Sequence, residues 1–211
     1  MKITDLISTI HKSIHQANND HANWTGGWWM QAYGVEGFLV SRIADGIMNH
    51  KNRPGYLTLE TSFRELYENC KKMPKGKRIT STKDSNRIDI ALYNRNDMLS
   101  HVVEVKRFWS PACYTDIDRL TKFYGRHNKS NEGSLKEALF VQLVAVSARR
   151  NPNTIEKRLS NYFDDISERC SNYVTKIGFT CQSYRGTDVI SPIILEDRTE
   201  AFSSFCLRIR P

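Results

Sequence analysis

Apolar positions along the chain recur first with a helical period. Ile3, Leu6, Ile7, Ile10 and Ile14 lie three or four residues apart and predict a helix over 2–16 with one apolar face. The polar stretch 17–22 reads as a loop. A second helix is predicted over 31–49, where Val35, Leu39, Ile43 and Ile47 form a stripe and Glu36 stands beside it near the helix start. Pro54-Gly55 marks a turn, 56–59 suits a short strand closed by Glu60, and 62–70 a short helix. Residues 71–86 are basic and rich in Ser, Thr and Gly, the composition of a mobile loop.

The period then changes to two. In RIDIALYNRNDMLSHVVEVKRFW, Ile88, Ile90 and Leu92 alternate with Asp89, Ala91 and Tyr93. Asn94-Arg95-Asn96-Asp97 is turn chemistry, and a second strand runs from Met98 to Phe108. A four-residue turn pairs Tyr93 with Met98, and hence Asp89 with Val102. Side chains alternate and opposed residues share a face, so Asp89, Glu104 and Lys106 converge, while Ile88, Ile90, Leu92, Val103 and Val105 turn to the other side. A slip of one residue would destroy this arrangement.

Beyond the hairpin, Ser110-Pro111 breaks the strand, and Thr115 is placed to cap a helix reaching Tyr124. Residues 125–133 read as a basic loop. The run ALFVQLVAV (138–146), interrupted by Gln142, suits a buried parallel strand. Ile155, Leu159, Tyr162, Phe163 and Ile166 mark a helix over 153–170, and 173–184, 189–195 and 202–209 read as strands. The order predicts a mixed α/β layered fold in one domain spanning 1–211, without internal repeats.

Composition narrows the function classes. No stretch approaches the roughly 20 apolar residues of a membrane span, and the N-terminus lacks the features of a signal peptide. The five cysteines include no CxxC pair, so neither a zinc site nor a disulfide framework is expected, and a reducing cytoplasm is the expected location. A net charge of +8 favours a polyanionic partner. Its candidate contacts are Lys75, Lys77 and Arg78 before the hairpin, Arg107 after it, and Arg126 and Lys129 further on. Three of the four tryptophans lie in WTGGWW (24–29), a cluster that either anchors a helix start or stacks against nucleobases.

Two converging carboxylates suit a hard divalent cation, which takes one or two carboxylates together with substrate phosphates. Such a cation stabilises phosphoryl charge and helps generate hydroxide from water. A lysine on the same face can orient or deprotonate that water, or neutralise developing charge. The plainer alternative is a salt-bridge ladder of Asp89 and Glu104 against Lys106 and Arg87 on an exposed strand.

Asp89 in Arg87-Ile88-Asp89-Ile90 and the Glu104-Val105-Lys106 element, in this order of helices and strands, resemble the PD-(D/E)xK nuclease superfamily, the restriction-endonuclease-like fold. Ile88 stands where the nominal motif has proline, an absence that many members share. The resemblance covers about residues 31–146, with the helix at 2–16 and the elements at 153–209 as additions. It implies an αβββαβ core and hydrolysis of phosphodiester bonds, DNA ahead of RNA, leaving a 5′-phosphate. It also implies Mg²⁺, with Mn²⁺ as substitute, held by Asp89, Glu104 and the Val105 carbonyl, with Lys106 acting on water. A further acid comes from the first core helix, here Glu36, with Glu60 as competitor. A restriction-type enzyme, or an effector recruited by a larger defence or repair assembly or acting as a homodimer, fits this size. The alternative is a nuclease-like module that binds nucleic acid or protein without cutting.

Overall fold

The structure, a computed structural model, describes residues 1–28, 30–68, 86–130, 134–149, 154–190 and 198–211. Lys75, Lys77 and Arg78, with the loop expected around them, lie outside the described residues, as does Trp29.

The elements follow the order α1 (Ile3–Thr25), α2 (Met30–Tyr33), α3 (Glu36–Met48), β1 (Tyr56–Ser62), α4 (Phe63–Glu68), β2 (Arg87–Tyr93) and β3 (Leu99–Lys106). There follow α5 (Ala112–Ser130), β4 (Glu137–Arg149), α6 (Ile155–Lys176), β5 (Thr180–Arg185), β6 (Val189–Ile190) and β7 (Arg198–Arg210). Seven strands make one sheet in the order β1-β2-β3-β4-β7-β5, with β6 also on β7. Among the described residues only β3 and β4 run parallel, joined through α5 as a parallel pair requires.

Both faces of the sheet are covered. On one, Leu6, Ile10 and Ile14 of α1 and Leu39 and Ile43 of α3 pack on Ile90, Leu92, Val103, Val105, Leu139 and Val141. On the other, Ile117, Leu120 and Phe123 of α5 and Leu159, Ile166 and Val174 of α6 pack on Val102, Ala138, Phe140, Phe205 and Leu207. The run at 138–146 is apolar but for Gln142 because β4 is buried on both sides from Ala138 to Val144. The C-terminal strands extend the same sheet, β7 pairing with β4 along twelve positions.

Several boundaries differ from the sequence reading, each for a local reason. The loop expected at 17–22 is helix: Ala17 and Asn18 are buried, Asn18 Oδ1 accepts a hydrogen bond from the Met30 N–H, and the polar residues line the solvent side. The helix stops where Gly26 takes the left-handed conformation at φ 73°. The second predicted helix is divided: α2 ends at Tyr33, α3 begins at Glu36, and Val35 between them is exposed, with Gly34 packed so closely that a Cβ would meet the Met30 side chain at 2.3 Å. Thr115 is no cap, because α5 begins at Ala112, and that helix absorbs the loop expected from 125 up to Ser130. Residues 173–176 complete α6, and β5 starts only after the left-handed Gly178.

The hairpin register is offset by two from the expected one. Asn94 Oδ1 accepts from the N–H groups of Asn96 and Met98, and Asp97 takes φ 57°, so the turn uses one extra residue and Tyr93 pairs with Leu99. A bulge between Leu92 and Tyr93 adds a second, giving Leu92↔His101 and Ile90↔Val103. The offset is even, so side chains keep their faces. Ile88 is the exception, packing with Phe63 and Leu66 on the α5 side instead of with Ile90. Alternation fails beside it in β1, where Glu60 has φ 50° and the hydroxyls of Thr58 and Thr61, three residues apart, meet at 2.5 Å.

Glu137 and Arg208 close the far end of β4 and β7 with a two-pronged pair, Arg208 Nε donating to Glu137 Oε2 at 2.7 Å. Both side chains are about nine-tenths buried. Glu137→Ala is therefore expected to cost about 3–5 kcal/mol, because it strands a buried guanidinium, whereas the pair of changes Glu137→Leu and Arg208→Met costs far less. Urea unfolding midpoints of the single and double variants measure the difference.

Candidate active site

At the end of β3, where the strand leaves the sheet, charged side chains from both helical layers meet. Glu104 and Lys106 come from β3 and Asp89 from the start of β2. Glu36 comes from the first turn of α3 on one side, and Asp116 and Arg119 from α5 on the other. Lys106 Nζ donates to Glu104 Oε1 at 2.9 Å and to Glu36 Oε1 at 3.3 Å, and lies 3.4 Å from Asp116 Oδ2. Arg119 Nη2 lies 2.9 Å from Glu104 Oε1 and 2.8 Å from Asp116 Oδ1. The other oxygen of Glu36 accepts from the Arg107 N–H at 3.1 Å.

Asp89 takes the place of a ladder partner. The β2–β3 pairing ends at Ile90↔Val103, and beyond it Asp89 Oδ2 accepts the Val105 N–H at 2.6 Å. In an extended strand the carbonyl of a residue leaves on the same side as its N–H, so the Val105 carbonyl also faces the Asp89 strand.

Burial decides the electrostatics. Glu104 is 2% exposed and Asp89 9%. Burial pushes the Asp89 carboxyl up to about 8, with the Glu104 charge adding to the shift and the Val105 N–H and Lys106 opposing it. Glu104 is raised mainly by its own burial, against the pull of Lys106 and Arg119. Burial alone would lower Lys106, but Glu104, Asp116 and Asp89 outweigh it and hold the ammonium form well above its ordinary range. Two cations thus face four carboxyl groups in a half-sealed site, and of these Asp89 holds a proton below about pH 8.

The place for a further cation is specific. Glu104 Oε2 is buried and has no hydrogen-bond partner among the described residues, while Oε1 serves both Lys106 and Arg119. An unpaired buried carboxylate oxygen is costly unless a cation completes it. Among the described residues no group of three His, Cys, Asp or Glu side chains gathers closely enough to hold a metal ion unaided. Two carboxylates and one backbone carbonyl are instead the partial donor set that Mg²⁺ accepts when waters and substrate phosphates supply the rest. The residues present fit such an ion.

Of the residues singled out in the sequence, Asp89, Glu104, Val105, Lys106, Glu36 and Arg107 come together. Glu60 lies level with Asp89 on the neighbouring strand but is exposed, and no hydrogen bond or ion pair joins it to the cluster among the described residues. Arg126 sits with its guanidinium 5.6 Å from the Tyr67 ring, and Lys129 is exposed in the last turn of α5. At 1.5 Å per residue, Lys129 is about 15 Å along the helix from Arg119. Gln142 is paired with Lys106 in the sheet, fully buried, its amide without a well-formed hydrogen bond among the described residues.

Asp116 and Arg119 join the site although they are not among the residues that the sequence singles out. The signal was there: Asp116 falls on the same stripe as Cys113, Leu120 and Phe123, which face the sheet, and a charge on such a stripe needs a partner.

The described helices include none long and apolar enough to cross a membrane. No protein-family model, no curated protein and no solved structure matches the chain.

Proposed function

We propose that the protein is a metal-dependent nuclease on a restriction-endonuclease-like core, acting on DNA. The observation that carries this reading is the buried Asp89–Glu104 pair with Glu104 Oε2 unpaired among the described residues, two residues from a lysine held in its charged form. The order α3, β1, β2, β3, α5, β4, with β3 and β4 parallel, supports the core assignment.

Asp89, Glu104 and the Val105 carbonyl would hold Mg²⁺, or Mn²⁺ in its place. Bound there, the ion supplies Lewis-acid stabilisation of phosphate charge and lowers the pKa of a coordinated water. Lys106 retains its proton in this environment, so it orients the attacking water as a donor and offsets charge on the phosphoryl oxygens. Glu36 positions Lys106 and the Arg107 backbone, and Arg119 fixes the rotamer of Glu104 through Oε1, leaving Oε2 for the cation. Arg107, Arg126 and Lys129 provide phosphate contacts along a strand of nucleic acid. A restriction- or defence-type effector, working as a homodimer or with a larger partner, fits a chain of this size.

The test is incubation of the purified protein with linear DNA, supercoiled DNA and RNA in Mg²⁺, Mn²⁺ or EDTA. Metal-dependent breakage with 5′-phosphate ends is expected. Intact substrates under every metal, alongside salt-sensitive binding, would instead establish the second reading, a module that binds without cutting. The fact that three carboxylates hold Lys106 in a closed set of ion pairs favours that alternative.

A further inference from the structure

Beside the carboxylate cluster, where α2 leads into α3, aromatic rings stand in solvent. Trp28 is 50% exposed, Tyr33 66% and Phe108 47%. The Trp28 and Tyr33 rings meet edge to face with centroids 4.8 Å apart. The Arg107 guanidinium lies 5.2 Å from the Phe108 ring, and its Nη1 donates to the Met30 carbonyl at 3.4 Å. Met30 opens the single turn that Tyr33 closes, and the Arg107 N–H is already bonded to Glu36. Arg107 therefore ties both groups of rings to the carboxylate cluster, one residue from Lys106.

Anchoring a helix start does not account for these rings, because an anchor is buried. Scattered exposed aromatics are ordinary, but the Trp28–Tyr33 pair on the segment that Arg107 bonds at Met30, with Phe108 beside the same guanidinium, gives the rim of a charged site a definite chemistry. Aromatic rings interleaved with cations bind single-stranded nucleic acid: each base offers a π-face to stack, and the cation meets the backbone. In a duplex those faces are already covered by neighbouring bases. The chain's net charge of +8 suits the same polyanion.

We propose that Trp28, Tyr33 and Phe108 form a shelf for an unpaired nucleobase of single-stranded nucleic acid, with Arg107 against the adjoining phosphate. The placement of that nucleotide beside the scissile bond rests on the nuclease reading; the shelf itself does not. Its consequence is a preference for single strands, or for duplexes carrying frayed or flapped ends.

Fluorescence anisotropy with a labelled oligothymidine of about 15 nucleotides, and with a blunt duplex of equal length, tests this in EDTA, where cutting plays no part. Trp28→Ala, Tyr33→Ala and Phe108→Ala are each expected to weaken oligothymidine binding about 5- to 100-fold, with Tyr33→Phe retaining it and duplex affinity unchanged. Oligothymidine should quench tryptophan emission, and less so in Trp28→Ala. Three alanine variants within twofold of wild type overturn the shelf, as does an equal loss on the duplex. Sedimentation showing a wild-type dimer that the variants dissociate also overturns it, because a second copy then covers the rings. Lys106→Ala, run in parallel with Mg²⁺, separates the two ideas. Cutting that depends on Lys106 while the shelf variants bind normally removes the shelf alone. Shelf-dependent binding with no cutting under any metal removes the nuclease reading and supports the shelf.

Discussion

Lys106→Ala is expected to reduce metal-dependent cleavage by about 10²–10³-fold, the loss seen when one preorganised donor to a developing oxyanion is removed. The same change leaves Glu36 and Asp116 without the ammonium they share, and Glu104 with Arg119 alone. The Lys106 side chain is only 19% exposed, so solvent does not replace it, and breaking a buried pair of this kind costs about 3 kcal/mol. The cost should grow with pH, since the abandoned carboxylates can be neutralised by protons at low pH. Initial rates on plasmid DNA and urea unfolding at pH 6 and pH 8 measure the two effects separately. Cleavage within threefold of wild type would exclude Lys106 from the chemistry.

The second large effect concerns pH and metal together. Asp89 has a folded-state pKa near 8, against about 3.9 in an unfolded chain. Between those values the folded protein holds a proton that the unfolded chain has released. The Asp89 contribution to metal-free stability is therefore largest at the acid end of the window and declines as pH rises towards 8, while His11 and His101, held down to about 4 by burial, contribute the opposite trend below about pH 6.5. A divalent cation reverses the trend, because it displaces that proton and gives the paired negative charges a partner. The rise in melting temperature on adding Mg²⁺ should thus be small at pH 5 and large at pH 8. Calorimetric titration below pH 8 should show close to one proton released per ion bound. Asp89→Asn removes the Asp89 share of the pH dependence of the metal-free protein and abolishes the Mg²⁺ response. An equal Mg²⁺ response at pH 5 and pH 8 would place the cation elsewhere.

The convergence of Asp89, Glu104 and Lys106 was legible from residue order because strand parity is insensitive to an even error. The true pairing differs from the expected one by two, one residue taken by the Asn94 turn and one by the bulge at Leu92–Tyr93, and the faces survive. Glu36 was legible as an acid at a helix start, though its contact with Lys106 needed the break at Gly34 to start α3 at that residue. Ile88 was assigned to the wrong face because nothing local announces a left-handed Glu60 in the adjacent strand. The polar segments at 17–22 and 125–130 were read as loops although their buried residues, Ala17, Asn18 and His127, keep the helical spacing. Polarity on one side of a helix was mistaken for absence of the helix. The aromatic surface was not legible in the sequence, where Trp24 and Trp28 read more readily as anchors of a helix start, and their 68% and 50% exposure removes that option.

The sheet keeps the two helical layers apart, and Lys106 is where they touch the same atom: Glu36 arrives from the α3 layer and Asp116 from the α5 layer. A chain with only one layer docked presents that lysine with an incomplete set of acids, and Arg119 cannot fix Glu104 until α5 is seated. Cutting competence would then be the last property acquired during folding and the first lost on partial denaturation. For a cell that carries a nuclease, nascent or damaged copies would be harmless by construction, with no inhibitor needed to guard the genome while the chain matures.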